Sequence, residues 1–158
     1  MNVSELIPPS HVLVGLRVAD KATLLEHLAR RAAAELSLDE HAIFDGLSRR
    51  EALGSTGLGK GFALPHARFE ALSHPFALFA RTFWPIEFAA IDGRPVDLVV
   101  LLLTPRGADN EHLATLAAIS RQFRDESFLN QIRGAPNSEA ICKIFFRTNR
   151  GDSTTVSS

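Results

Sequence analysis

The stretch VDLVVLLL, residues 96–103, constrains this chain more than any other. A strand with one wet face alternates apolar and polar residues. Here only Asp97 interrupts the apolar run, so it reads as a strand buried on both faces. It is far too short to cross a bilayer. Other extended segments precede it: HVLVGL at 11–16, a short run at 62–64 ended by Pro65, and FALFARTF at 76–83. Residues 84–95, with the turn signal DGRP, join two of them. Between the strands the apolar period becomes helical. Leu24, Leu25, Leu28, Ala32 and Leu36 recur behind a possible N-cap, Asp20. A second helix is expected over 39–53, with Ile43, Phe44 and Leu47 inward and Gly54 as its stop. A third follows Asp109 or Asn110, with Leu113, Leu116, Ala117 and Phe123 on one face. A short helix over 126–133 and a last one from Asn137 or Ser138 through Phe146 complete the pattern. Strands alternating with helices predict the α/β class: a single domain with a mixed central β-sheet flanked by helices. That domain is expected over 1–147, and residues 148–158 form a polar tail expected to be disordered.

A chain of 158 residues suits one domain and buries a real core. The net charge is −1 and the basic residues are scattered, so nucleic acid is not an expected partner. The N-terminus lacks the basic-then-apolar pattern of a signal peptide, which points to a cytoplasmic protein that is not membrane-embedded. One cysteine, Cys142, excludes an internal disulfide and a cysteine-based zinc site, and its apolar neighbours mark it as a core residue.

The densest motif is GSTGLGKGFALPHAR, residues 54–68. Its opening spells G-x-x-x-x-G-K, but a nucleotide-binding P-loop continues with Ser or Thr to hold magnesium, and here Gly61 follows. The context is reversed as well, because this loop leaves a helix and enters a strand. The dinucleotide fingerprint fails too, since the glycines are spaced G-x-G-x-G. Two readings of the glycines remain. They either cradle an anion with exposed N–H groups, helped by Ser55, Thr56, Lys60 and the nearby Arg50, or they are turn residues of a surface loop. His66 follows directly. A neutral imidazole beside a phosphate cradle suggests phosphoryl transfer through a phosphohistidine. Six histidines also invite a metal hydrolase, but no H-E-x-x-H or clustered ligand spacing is present.

RREALGSTGLGKGFALPHARFEAL resembles the signature region of the mannitol/fructose-type enzyme IIA domains of the bacterial phosphoenolpyruvate-dependent phosphotransferase system, and is most similar to their nitrogen-regulatory branch. Arg50, Glu51, Ser55, Thr56, Gly57, Gly59, Gly61, Pro65 and His66 carry the resemblance. EHLATLAAIS, which places His112 at the start of a helix, and DGRPVDLVVLLLTP extend it over most of residues 2–146. The resemblance implies that His66 is phosphorylated by an HPr-type histidine phosphocarrier protein. It places His112 beside His66, to bond the phosphate or orient the imidazole, and has Arg50 offset phosphate charge. Ser55, Thr56, Gly57, Gly59 and Lys60 would bind phosphate, and neither a metal nor another cofactor is expected. The family often carries Asn at Lys60 and Gly at Ala67, which bears on donor choice and rate. Three functions follow. The first is a regulator whose partners, such as a transporter or sensor kinase, change with phosphorylation. The second is a sugar-specific component passing phosphate to a fructose or mannitol permease. The third is a docking module without phosphotransfer. No permease or HPr-like segment accompanies the domain in this sequence, which favours the first.

Overall fold

The computed structural model describes residues 3–157, with side chains described for residues 3–147. The expected polar tail, 148–158, lies outside the residues whose side chains are described. The elements run in order α1 (Val3–Leu6), a 3-10 turn (Pro9–His11), β1 (Val12–Leu16), α2 (Lys21–Leu36), α3 (Glu40–Ala52), β2 (Gly57–Gly59), β3 (Phe62–Ala63) and β4 (His66–Phe69). They continue with β5 (Phe76–Ile86), β6 (Val96–Pro105), α4 (Asp109–Gln122), α5 (Glu126–Gly134) and α6 (Ser138–Ser157).

The sheet is mixed. Its order is β1-β5-β6-β3-β2, with β4 also on β6. β6 is its spine, antiparallel to β5 and parallel to β3 and β4. Every residue from Leu98 to Leu103 is fully buried. Val99, Leu101 and Leu103 join the core under α2 and α3. Leu98, Val100 and Leu102 join a second core with Ile119, Phe128 and Phe145 of the C-terminal helices. The continuous apolar run is thus the alternation of one strand between two covered faces, as its composition required.

Local signals place most helix ends. The Asp20 carboxylate accepts from Thr23 N at 2.8 Å, and Asp39 and Asp125 cap α3 and α5 in the same way. The structure departs from the local expectations at three points. Pro65 does stop the short strand, since β3 ends at Ala63, but pairing resumes at His66, opposite Leu102, to form β4, which was not expected. Proline removes one donor, but the Pro65 carbonyl still accepts from Leu102 N at 3.0 Å, so β6 carries the chain across the break. The buried face of α4 is also not the expected stripe. It consists of His112, Thr115 and Ile119, followed by Phe123 at the helix end, while Leu113 is 59% exposed. Neither Asp109 nor Asn110 caps this helix. Its N-cap is Ala108, and the Asp109 carboxylate pairs with Arg68 instead.

Candidate functional site

The break at Pro65 sets His66 at the start of β4, with its ring between strand and helix. Its Nδ1 lies 2.8 Å from the Leu64 carbonyl, which can only accept, so Nδ1 carries the proton. In the neutral ring Nε2 is then the bare nitrogen. Arg50, on the last turn of α3, donates to it from Nε at 3.3 Å. The Arg50 Nη1 also donates to the Gly54 carbonyl at 2.7 Å, which fixes the guanidinium plane. Burial holds the His66 imidazole below its ordinary range; the Leu64 hydrogen bond opposes this, and the Arg50 charge reinforces it. His66 is therefore neutral near pH 7 with its lone pair aimed at the arginine.

His112 sits on the first turn of α4, its ring centroid 5.7 Å from that of His66. It is almost fully buried, and its Nδ1 lies 2.5 Å from the hydroxyl of Thr104, itself buried near the end of β6. Burial, then the charges of Arg68 and His66, push its pKa down to about 4, with Asp109 opposing. Two neutral imidazoles therefore face each other in a cleft of about 710 Å3 lined also by Arg49, Arg50, Arg68 and Arg106. The surroundings are cationic while the rings are uncharged. Such a site attracts an anion and keeps a nitrogen lone pair available.

The structure brings Arg50, His66 and His112 together. Ser55, Thr56, Gly57, Gly59 and Lys60 do not line this cleft; they serve the loop's own folding. Ser55 Oγ donates to the Phe88 carbonyl at 2.7 Å and accepts from Gly57 N at 3.0 Å. The buried Thr56 donates both its N–H and its hydroxyl to Glu51, whose carboxylate also takes Lys21 Nζ at 2.9 Å. Gly57 lies against Ala90, where an added Cβ would stand 2.8 Å from the Ala90 Cβ. The Lys60 Nζ reaches the Arg124 carbonyl, and its N–H binds Asp92. Lys60 itself sits at φ +59°, unusual for a side-chain-bearing residue, and Arg133 fastens its carbonyl at 2.7 Å. At Gly61, φ +80°, a Cβ would come within 2.4 Å of Arg133 Nη2. Of the two readings of the glycines, this geometry displays the turn, with Gly59 and Gly61 at positive φ and the backbone packed closely on Ala90, Arg133 and Asp97.

Sequence reading missed Thr104, Arg68 and Arg106. Arg68 was discoverable in principle: two residues beyond His66 in a strand means the same face. Thr104 stands out only as the polar end of a buried run. Its partner is eight residues away on another element, which no local pattern encodes.

Residues 5–147 match the model of a family described as phosphoenolpyruvate-dependent sugar phosphotransferase system, EIIA 2. The chain belongs to that family. Among the relatives of this EIIA 2 chain is a nitrogen regulatory protein of Bradyrhizobium diazoefficiens, 41% identical over 91% of the chain and 94% of the relative. A nitrogen regulatory protein of Pseudomonas aeruginosa is 35% identical over 96% and 99%. The crystal structure of nitrogen regulatory protein IIA-Ntr from Neisseria meningitidis superposes with a TM-score of 0.86 at 35% identity, covering 90% of this chain and 98% of that one. Members of this family take part in phosphoryl transfer. Among the described residues no helix is long and apolar enough to cross a membrane.

Proposed function

We propose that this EIIA domain is a phosphohistidine carrier that accepts a phosphoryl group on His66 Nε2 from an HPr-type phosphocarrier protein. Its phosphorylation state would then decide which regulatory target, such as a transporter or sensor kinase, it engages. The observation that carries this reading is the Nδ1–H bond to the Leu64 carbonyl, which leaves Nε2 as the sole lone pair of His66 and turns it toward Arg50.

The step follows from those contacts. The Nε2 lone pair attacks phosphorus, and the N–P bond of the donor phosphohistidine breaks, its electron pair returning to the donor imidazole. The proton stays on Nδ1 and remains hydrogen-bonded to the Leu64 carbonyl, which stabilises the positive ring formed on attack. Arg50, anchored on Gly54, releases Nε2 and turns its N–H groups to the phosphoryl oxygens. Phosphoryl transfer asks a protein mainly for positioning and charge stabilisation, and a guanidinium supplies both. Were the Thr104 hydroxyl the donor to Nδ1 of His112, that ring would carry its proton on Nε2 and offer a second donor to phosphate. Phosphorylation adds about two negative charges to a cleft rimmed by exposed Leu53 and Leu113, a local change that alters docking there. The regulatory branch is favoured over sugar transport by degree of similarity. A fructose-specific EIIA component of Haloferax volcanii is 34% identical over 89% of this chain, below the nitrogen regulatory relative of Bradyrhizobium.

Intact mass after incubation with phosphoenolpyruvate, enzyme I and an HPr-type carrier tests the proposal. One acid-labile phosphoryl group is expected on the wild type and none on His66→Ala, with slowed transfer in His112→Ala. Normal labelling of His66→Ala removes the site assignment.

A further inference from the structure

Arg68 is two residues beyond His66 in β4. Side chains two apart in a strand share a face at about 6.6 Å. Arg68 accordingly lines the same cleft as His66 and His112. Its Nη1, however, is engaged. It donates to Asp109, the first residue of α4, three positions before His112 on the same helix. The pair thus ties the strand carrying one histidine to the helix carrying the other. It is an exposed pair: the Arg68 side chain is 35% exposed and that of Asp109 69%. Exposed pairs contribute little to stability, so this one breaks readily. Arg49, its neighbour in the cleft, is paired with Asp45, which lines the cleft as well, and Arg50 already touches His66.

We propose that Arg68 is a second phosphoryl-binding cation, held in reserve by Asp109 until His66 is phosphorylated. The inference rests on the phosphohistidine reading and names a further residue that binds the group. An incoming phosphoryl dianion offers Arg68 two negative charges and three acceptor oxygens, against the single charge of Asp109. Arg68 therefore moves to the phosphoryl group, and the Asp109 carboxylate is set free beside the N-terminus of α4. Asp109 acts as an internal competitor: it weakens phosphate capture and is displaced by it. The charge of Arg68 already depresses the pKa of both histidines, as its proximity requires.

The test uses a small donor, so that it does not depend on any carrier protein. Phosphoramidate is incubated with the full chain. Its N–P bond breaks, a bond to His66 Nε2 forms, and ammonia leaves. The pKa of the attached phosphoryl group is then read from its 31P chemical shift against pH, with His66→Ala identifying the signal. A nearby cation favours the dianion and lowers that pKa. Relative to wild type, Arg68→Gln should raise it by about 1, Asp109→Asn should lower it by about 0.5, and Arg68→Lys should stay near the wild-type value. The double variant Arg68→Gln/Asp109→Asn should match Arg68→Gln, because Asp109 acts only through Arg68. Equal pKa values in all variants overturn the inference, as does an Asp109→Asn effect that persists without Arg68. Failure of the folded wild type to accept phosphate from phosphoramidate at His66 overturns it too. Labelling by phosphoramidate but not by an HPr-type carrier refutes the carrier function while leaving the role of Arg68 to be decided by the shifts.

Discussion

Thr104→Val tests whether the second histidine is built into the site or merely near it. Valine keeps the shape of threonine and removes the one hydroxyl that meets His112 Nδ1, at 2.5 Å, between two residues that are almost wholly buried. An imidazole nitrogen left without a partner in such a place costs about 1–3 kcal/mol. For 158 residues the unfolding entropy near 60 °C is about 0.33 kcal/mol/K, so a loss of 2 kcal/mol lowers Tm by about 6 °C. Transfer should suffer separately, because the ring loses the contact that fixes its tautomer and its angle to His66. A slowing of about tenfold in phosphorylation of His66 is expected, equivalent to about 1.4 kcal/mol in the barrier. Calorimetry and a quenched time course of intact mass give the two numbers. Thr104→Ser, which keeps the hydroxyl, should preserve the rate and lose only the packing of one methyl. If Thr104→Val melts and transfers like the wild type, the hydrogen bond neither holds His112 nor orders the site, and the argument from it fails.

The histidines make stability depend on pH. Unfolded His112 takes up a proton near 6.5 and the folded residue near 4, so between these values the unfolded state binds more protons and stability falls as pH falls. Lowered His66 and His27 act in the same direction. Between pH 7 and pH 5 His112 should account for a loss of about 1–2 kcal/mol, after allowance for solvent screening at the cleft, and a urea midpoint that falls equally in His112→Gln refutes that assignment. Glu51→Gln leaves Lys21 without its anion in a half-buried position and weakens the two hydrogen bonds that Thr56 donates to residue 51; an unfolding free energy lowered by about 2–3 kcal/mol is expected, with no loss if the pair is ornamental. Gly61→Ala places a methyl where Arg133 and Asp97 meet, at a φ that penalises side chains. A loss of about 2–4 kcal/mol in chemical denaturation is expected, with His66 phosphorylation kept in the protein that remains folded; unchanged stability would show that the pair simply moves aside.

What was legible in the sequence was what short-range physics writes there. The run from Val96 to Leu103 demanded two apolar layers, because a strand without a polar face has no side to give to water. Asp20 marked a helix start because its carboxylate meets a backbone N–H three residues on. The candidate histidines were paired through the family resemblance rather than through local pattern, and the structure sets their ring centroids 5.7 Å apart. What the sequence left open depended on partners far along the chain. Pro65 looked like an end, and it is β6 that lets the strand resume at His66. Leu113 looked like core, yet α4 turns its His112 face inward against Thr104 and leaves Leu113 at the rim of the cleft. The glycine loop looked equally like a cradle or a turn. Only the tertiary structure sends its Ser55, Thr56 and Lys60 to Phe88, Glu51 and Arg124, and leaves the cleft beside His66 to arginines drawn from three separate segments. The difference is one of range: caps and periodicities are settled within a turn or a pleat, whereas the direction a polar side chain takes is settled by whichever distant group offers it the better bond.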